Sequence, residues 1–544
     1  MTATNASAAP QPSAQQPSAM APFRHQAFAI LWVATVASNI GTWMHDVGAG
    51  WLMTELAPSP VMVAAVQAAT TLPIFLFALL AGAIADIVDR RQLLIWVNVA
   101  MGFAALAMAV LVHFDLVTPW VLLFFTFLFG TGAAFIAPAW QAIVPKLVPR
   151  EDLSSAIALN SMGINVSRAI GPALAGVLIV AAGLAAPFLV NALSVIGIVA
   201  ALWWWRPEAK ATSGLPAEHV GGAIVAGVRY AWNSPALKAT LIRAAAFFLF
   251  ASAFWAMLPL IARETLGGGA TLYGLLMGSV GAGAVGGALI LPKIKARLGA
   301  DGTVMAGTAG TTIVMVIMAV VPSQVLAIAA AALAGLSWIA VLSSLNVSAQ
   351  TALPDWVRAR GLSVFLTVFF GSMSLGSLAW GQVAALWGIP VALIIAAAGA
   401  VALIPLTRWA HLQLGASMDL SPSMHWPEPV IGGDVDTDGP VMVQITYRVP
   451  TANQTTFLDL IEQLSVSRRR SGAYRWTCLR DADDPDRFIE SWTEASWINH
   501  ERHHQRVTQE DAALQARIAD LTAPGTKPEV MHYLTPAHAT ASNA

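Results

Sequence analysis

Gln141-Ala142-Ile143-Val144-Pro145-Lys146-Leu147-Val148-Pro149-Arg150 and Gln350-Thr351-Ala352-Leu353-Pro354-Asp355-Trp356-Val357-Arg358, with Arg360 just beyond, are two versions of one pattern. Each sets a glutamine, an apolar stretch, a proline and an arginine between two long greasy runs. The recurrence marks the membrane part as a duplicated unit. Parallel repeats related by an axis along the membrane normal predict two bodies that rock about a shared midplane site.

Composition places the chain in a bilayer. Hydrophobic residues are 57% of the 544 and charged residues only 11%, against about 25% charged in a soluble domain. The net charge of -1 favours no charged partner, and no nucleic-acid partner is expected. Cys478 is the only cysteine, which excludes an intramolecular disulfide and any Cys-rich metal site. Residues 1–22, rich in Ala, Pro, Ser, Gln and Thr, lack a basic start or a cleavage site and read as a disordered tail.

A span needs about 20 mostly apolar residues. Runs of that kind fall near 27–53, 60–85, 92–114, 118–144, 156–182 and 185–205, then 240–265, 271–292, 303–321, 324–348, 361–386 and 389–410. The expected fold is therefore an all-α membrane protein of twelve transmembrane helices in two six-helix pseudo-symmetric halves, 23–206 and 239–413. Alternate loops hold Arg90, Arg91, Lys146, Arg150, Arg206, Lys210, Lys293, Lys295, Arg297, Arg358 and Arg360, whereas the other set holds almost nothing basic except Arg263. The positive-inside rule then puts both termini in the cytoplasm of a bacterial inner-membrane protein. Residues 207–238 form a cytoplasmic connector with a short helix over 217–232.

Three stretches suggest mechanism. After the second span, Gly82, Asp86, Asp89, Arg90 and Arg91 form a turn in which Asp86 can bond a neighbouring helix or pair with Arg90. Such a turn is either a cytoplasmic charge latch or a plain positive-inside anchor. The matching turn from Gly287 to Arg297 lacks the acid, so a latch is expected on one side only. In the fifth span, Gly171, Pro172 and Gly176 give a bent helix with a smooth face, an interface gate or an ordinary packing seam. Arg168 stands near mid-membrane, where an arginine is costly and faces a cavity or a partner. Asp46 is the candidate acid, read as linked to protons or substrate or as a gate at the periplasmic mouth. His45, Asn39, Asn165 and Asn346 complete the candidate pathway. The second half is nearly free of intramembrane charge, which suits a large amphipathic cargo.

Residues 414–439 read as a linker rich in Pro, Gly and Asp. Beyond it, Val441, Val443, Ile445, Tyr447 and Val449 alternate as in a half-buried strand. The β-α-β-β-α-β order over 440–535 predicts a small α+β ferredoxin-like domain, which is able to dimerise, with a tail at 536–544. His500, His503 and His504 lie at i, i+3 and i+4, so two imidazoles can share a helix face; a metal or haem site is one reading there, and a solvated basic helix or a dimer interface is the expected one. Arg468-Arg469-Arg470 reads as a solvated turn near lipid heads. No Ser-His-Asp set, phosphate-binding loop or Walker pattern is present, so neither cofactor nor ATP drive is expected.

The turn from Gly82 to Arg91, the Gly171-Pro172…Gly176 run, Pro138-Ala139-Trp140-Gln141, Asn160-Ser161, and Leu353 to Gly361 resemble the major facilitator superfamily, and within it the transmembrane secretion effector branch. Asp89 departs from that pattern, where a glycine is common. The fourth span lacks the arginine linked to proton coupling in drug/proton antiporters, which leaves Asp46 and Arg168 to substitute for it. The C-terminal domain resembles the dimeric α/β-barrel family that includes antibiotic-biosynthesis monooxygenases. The resemblance implies a secondary transporter exporting a small molecule of drug or siderophore class, with protons as coupling ion. The alternatives are a membrane-anchored oxygenase or an importer.

Overall fold

The computed structural model describes residues 20–206, 220–406, 409–412, 419–427 and 437–534. Most of the expected N-terminal tail, the tail at 536–544 and parts of the connector and linker lie outside the described residues.

Helices α1 (Gln26–Leu56), α2 (Pro60–Ile87), α3 (Arg90–His113), α4 (Pro119–Ile143), α5 (Leu153–Ala182) and α6 (Ala185–Trp204) form the first half. Local signals start several of them: Pro60 and Pro119 fill first-turn positions, Thr118 accepts from the Val121 amide, and Asp89 caps α3 through the Gln92 amide. The connector helix α7 (Val220–Asn233) leads into α8 (Pro235–Leu260), α9 (Ala270–Val320), α10 (Gln324–Thr351), α11 (Arg358–Trp387) and α12 (Ile389–Leu406).

Among the described residues ten helices are long and apolar enough to cross a membrane, with Ile389–Pro405 as a shorter apolar one. The 51-residue α9 supplies two crossings because Gly299, at φ 68° and ψ -174°, breaks it. Both arms pack on the middle of α10: Gly335 lies against Val280 and Ala284 of the first arm, and Gly310 of the second meets Ser337. A straight helix would hold those two levels roughly 40 Å apart, so the chain folds back at Gly299. Twelve crossings result.

The halves repeat one another in packing. In the first, α1 packs on α5 and α6, α2 on α4, and α3 on α4 and α6. In the second, α8 packs on α11 and α12, α9 on α10, and α9 on α12. The turns after α5 and α11 use the same device. Gly183 (φ 86°) and Gly388 (φ 87°) occupy a conformation that L side chains resist. Between the halves, α2 meets α11 and α5 meets α9.

The C-terminal domain comprises β1 (Val441–Arg448), α13 (Gln454–Ser471), β2 (Tyr474–Arg480), β3 (Arg487–Glu494), α14 (Trp497–Arg506), α15 (Gln509–Ala519) and β4 (Glu529–Leu534). Its antiparallel sheet has the order β2-β3-β1-β4. Val441, Val443, Ile445 and Tyr447 face a core shared with Phe457, Ile461 and Leu464 of α13. Three expectations change here. Arg468 is buried in an ion pair with Glu490 (3.1 Å) and Arg470 binds Asp511 (2.8 Å), so these cations are structural and not solvated. His500 and His503 are also buried: Glu494 beneath α14 hydrogen-bonds His503 (2.6 Å) and lies 3.3 Å from His500 Nδ1. Burial, aided by the neighbouring imidazoles, pushes His504 down to about 4. The stretch 419–427 is not a free linker, since Ser423 bonds the Val507 carbonyl and Trp426 bonds Gln515.

The domain docks on the membrane body through α13 against α7. Arg470 lies over the Tyr230 ring (5.9 Å) and Arg506 over the Trp356 ring (4.1 Å).

Candidate functional site

A cavity of ≈ 240 Å³ lies between the halves, reaching from the middle of the spans, at Arg168 and Trp338, toward the end away from the basic loops, at Val63 and Tyr273. Its first wall is polar: Trp43, Asp46 and Gly50 from α1, Gln67, Thr70 and Thr71 from α2, and Arg168 from α5. Its second wall is apolar and aromatic, built from Trp255 of α8, Tyr273 and Met277 of α9, Trp338 and Leu342 of α10, and Phe369, Phe370 and Met373 of α11. Trp338 stacks edge-on with Trp255 (5.0 Å) and lies near Phe369 (6.1 Å), which fixes that wall.

Arg168 and Asp46 both face this cavity, yet no ion pair joins them among the described residues. Instead the Arg168 guanidinium lies 5.2 Å from the Trp43 ring centroid, with Nε lacking a hydrogen-bond partner. The other pathway candidates lie off the cavity. His45 is buried inside the first half against Phe129 (4.0 Å) and Phe188 (4.7 Å). Asn165 donates to the Ser161 carbonyl (2.8 Å), Asn346 accepts from Gln350 (2.7 Å), and Asn39 is half-buried elsewhere on α1. The amides of Asn165 and Asn346 bond within their own helices, as polar residues in spans commonly do.

The aromatic wall was missed by reasoning on polar residues alone. Its signal was nevertheless present: Trp43, Trp255 and Trp338 stand well inside their spans, whereas membrane tryptophans concentrate at the interfaces.

The small-residue run divides its work. A Cβ on Gly176 would lie 2.9 Å from the Ala270 carbonyl and 3.2 Å from Gly274 Cα, so this glycine and Pro172 meet the opposite half. Gly171 packs on its own half, where a Cβ would lie 2.6 Å from Trp43 Cβ. The α5–α9 contact continues to Gly281 against Ala169, but Gly286 has no neighbour within 4 Å on the side its Cβ would take. The halves are also tied at the end away from the basic loops, where Arg263 bonds the Thr54 carbonyl and hydroxyl.

At the basic-loop end, Arg91 donates to the carbonyls of Leu202 and Trp203 (2.7 Å each), joining α3 to α6 within one half. Asp89 is a helix cap, Gly82 faces Ser363 of α11 across 3.7 Å from its Cβ position, and the Asp86 side chain lies outside the described residues. The turn from Gly287 to Arg297 has no acid, and the nearest one beyond it serves its own half. Asp301, just past the stretch expected to lack one, pairs with buried Arg243 and accepts from the Leu412 amide (3.1 Å).

Two pseudo-symmetric six-helix bodies around one shared cavity define a multi-pass membrane protein of the fold seen in solved transporters. One such structure is a bacterial homologue of the human lysosomal transporter Spinster in an inward-facing, occupied conformation, with 14% identity and a TM-score of 0.57 over 72% of this chain and 97% of that one. The chain belongs to the transmembrane secretion effector family, whose model matches residues 17–540. It is 26% identical to the staphyloferrin A transporter of Staphylococcus aureus over 48% of its own length, and that match spans only 65% of the relative. It is 23% identical to the multidrug efflux pump Tap of Mycolicibacterium fortuitum over 65% of this chain and 88% of that protein.

Proposed function

We propose that the chain is a secondary active transporter that exports an amphipathic small molecule, of drug or siderophore class, across the bacterial inner membrane by alternating access. The observation that carries this reading is the two-walled cavity. One wall offers Asp46, Arg168 and Gln67 to a polar or charged group, and the other offers Trp255, Trp338 and Phe369 to an apolar body. The names of the relatives, a staphyloferrin A transporter and a multidrug efflux pump, point the same way.

Protons are the coupling ion in this scheme, and Asp46 takes and releases them. Arg263 with Thr54 and Gly176 with Ala270 close the periplasmic end, and both termini lie in the cytoplasm. Asp86, Arg90 and Arg91 remain the latch. The C-terminal domain serves transport rather than catalysis, and its outer sheet face, with exposed Met442, Leu479 and Tyr533, is where a second copy pairs. Uptake of labelled compounds into inside-out proteoliposomes, with and without a pH gradient, tests the scheme. Accumulation that the gradient drives supports it, and equal accumulation in protein-free vesicles removes it.

A further inference from the structure

The C-terminal domain holds a second cavity, of ≈ 570 Å³, between the inner sheet face and helices α13, α14 and α15. Val443 and Ile445 give it an apolar wall, Arg468 a buried cation, and Trp426 reaches it from the preceding stretch. At this cavity three imidazoles converge. His500 and His504 stand one helical turn apart on α14, and His532 comes from β4. Each offers one ring nitrogen, and the three atoms lie within 4.8 Å of one another.

The geometry within the cluster is that of a ligand set. The Nε2 atoms of His500 and His504 are 3.2 Å apart. Two nitrogens each about 2.0 Å from a tetrahedral ion stand about 3.3 Å apart. His500 has its other nitrogen turned away, with Nδ1 3.3 Å from Glu494 Oε2, while the second oxygen of the same carboxylate meets His503 Nδ1 at 2.6 Å. The carboxylate lies at ion-pair distance behind the His500 ring without a hydrogen bond to it, on the side where a carboxylate supports metal-binding histidines once the contact closes. Trp497 packs against the rings of both His500 (5.4 Å) and His532 (5.9 Å), holding the helix histidine beside the strand histidine.

We propose that His500, His504 and His532 bind one divalent transition-metal ion of the zinc class, with Glu494 as positioning residue and the fourth coordination position facing the cavity. An all-imidazole set without thiolate suits Zn²⁺, Co²⁺, Ni²⁺ or Cu²⁺ and disfavours Mg²⁺ and Ca²⁺. A site with three protein ligands and one open position accepts a water or an oxygen donor from a small ligand. The apolar wall makes the remaining space suited to a small molecule with an apolar body and one oxygen donor for the ion.

Co²⁺ titration of the full-length, chelator-stripped protein in detergent tests the site. The expected result is one Co²⁺ per chain with the intense visible bands of a tetrahedral nitrogen environment, displaced by Zn²⁺. His504→Ala and His532→Ala, both at the half-buried edge, each abolish the bands, and Glu494→Gln weakens binding roughly 10- to 100-fold. Thermal unfolding scans of each variant separate loss of the site from loss of the fold: abolished bands count only where the unfolding profile is retained. Wild-type protein that binds no Co²⁺, or binding unchanged in both histidine variants, overturns the proposal and leaves a hydrogen-bonded imidazole stack.

Discussion

The Arg168 guanidinium lies over the Trp43 indole, 5.2 Å from its centroid, although Asp46 is on the next turn of the same helix as Trp43 and lines the same cavity. A cation over an indole is held by the ring's quadrupole, worth about 0.5–2 kcal/mol depending on desolvation. That contact leaves the guanidinium edge free for a bound anion. Lysine lacks the planar fork, so Arg168→Lys is expected to abolish transport despite keeping the charge. Trp43→Leu is expected to raise the half-saturating cargo concentration up to roughly tenfold, since about 1.4 kcal/mol is a factor of ten. Transport kinetics in proteoliposomes check both, and a fully active Arg168→Lys variant would remove the guanidinium from recognition.

Asp46 has no ion pair among the described residues, and a carboxyl so placed is free to change its protonation as the cavity changes sides. Asp46→Asn is expected to lose accumulation driven by a pH gradient while retaining exchange of labelled for unlabelled cargo. The two assays on one preparation decide the matter. Undiminished gradient-driven accumulation in the variant takes the carboxyl out of coupling.

The duplicated glutamine–proline–arginine stretches made the two bodies readable, because greasy runs of span length leave few other folds. The short turn between the fifth and sixth runs is set by Gly183, whose positive φ Gly388 repeats in the second half. The cavity was only half legible. Arg168 and Asp46 stand out because charge in lipid is conspicuous, whereas Trp255, Trp338 and Phe369 look like any apolar span residue until their depth is considered. Asn165 and Asn346 lie off the cavity because a polar atom in a span can be satisfied by its own helix, as Asn165 is by Ser161, whereas His45 is packed between Phe129 and Phe188 inside the first half. Arg468 and His500 looked solvated because their partners, Glu490 and Glu494, come from a strand brought near only by the fold.

Gly176 lies where α5 touches the opposite half, and Gly171 does not. A valine at 176 would press on backbone atoms of Ala270, Thr271 and Gly274, with an overpacking cost of about 1–3 kcal/mol. The α5–α9 contact should part and the sealed end should open. With Cys478→Ser as background and Thr54→Cys as reporter, Gly176→Val is expected to admit a membrane-impermeant maleimide that the parent excludes. Equal labelling with and without the valine shows that this contact does not seal the end.

Asp511 accepts from the Thr508 amide (3.0 Å) and hydroxyl (2.8 Å) and binds Arg470. Burial alone would raise its carboxyl, but the Arg470 charge and the bonds from Ser467 and Thr508 outweigh that and hold it below the ordinary range. In the unfolded chain an aspartate titrates near about 3.9. With the folded value depressed, the stabilisation is fully present above that pH and is lost as pH falls through the folded value. Protease resistance of the C-terminal domain in the whole protein should therefore drop below about pH 4. Asp511→Asn should flatten that acid limb and lower stability at neutral pH by about 3–5 kcal/mol, as for a broken buried pair. An unchanged acid limb in this variant assigns the sensitivity to other groups.

Trp356 stands in the second copy of the duplicated motif where the first copy has Leu147, and the difference has a use. Leu147 is buried within its own half, whereas Trp356 lies under the Arg506 guanidinium (4.1 Å) and beside the Tyr230 ring (5.9 Å). Tyr230 in turn donates to the Ala352 carbonyl (3.1 Å) and lies beneath Arg470. Two arginines of the C-terminal domain thus grip two aromatic residues, one on the connector helix and one on the α10–α11 loop. At about 0.5–2 kcal/mol for each such contact, removing one ring should loosen the docking without unfolding either part. Trp356→Leu, which restores the first copy's residue, is expected to speed hydrogen exchange in α7 and in the face of α13 that covers it. Exchange in β1 and β3 should stay unchanged. Identical exchange in α7 for parent and variant would show that the domain is held elsewhere.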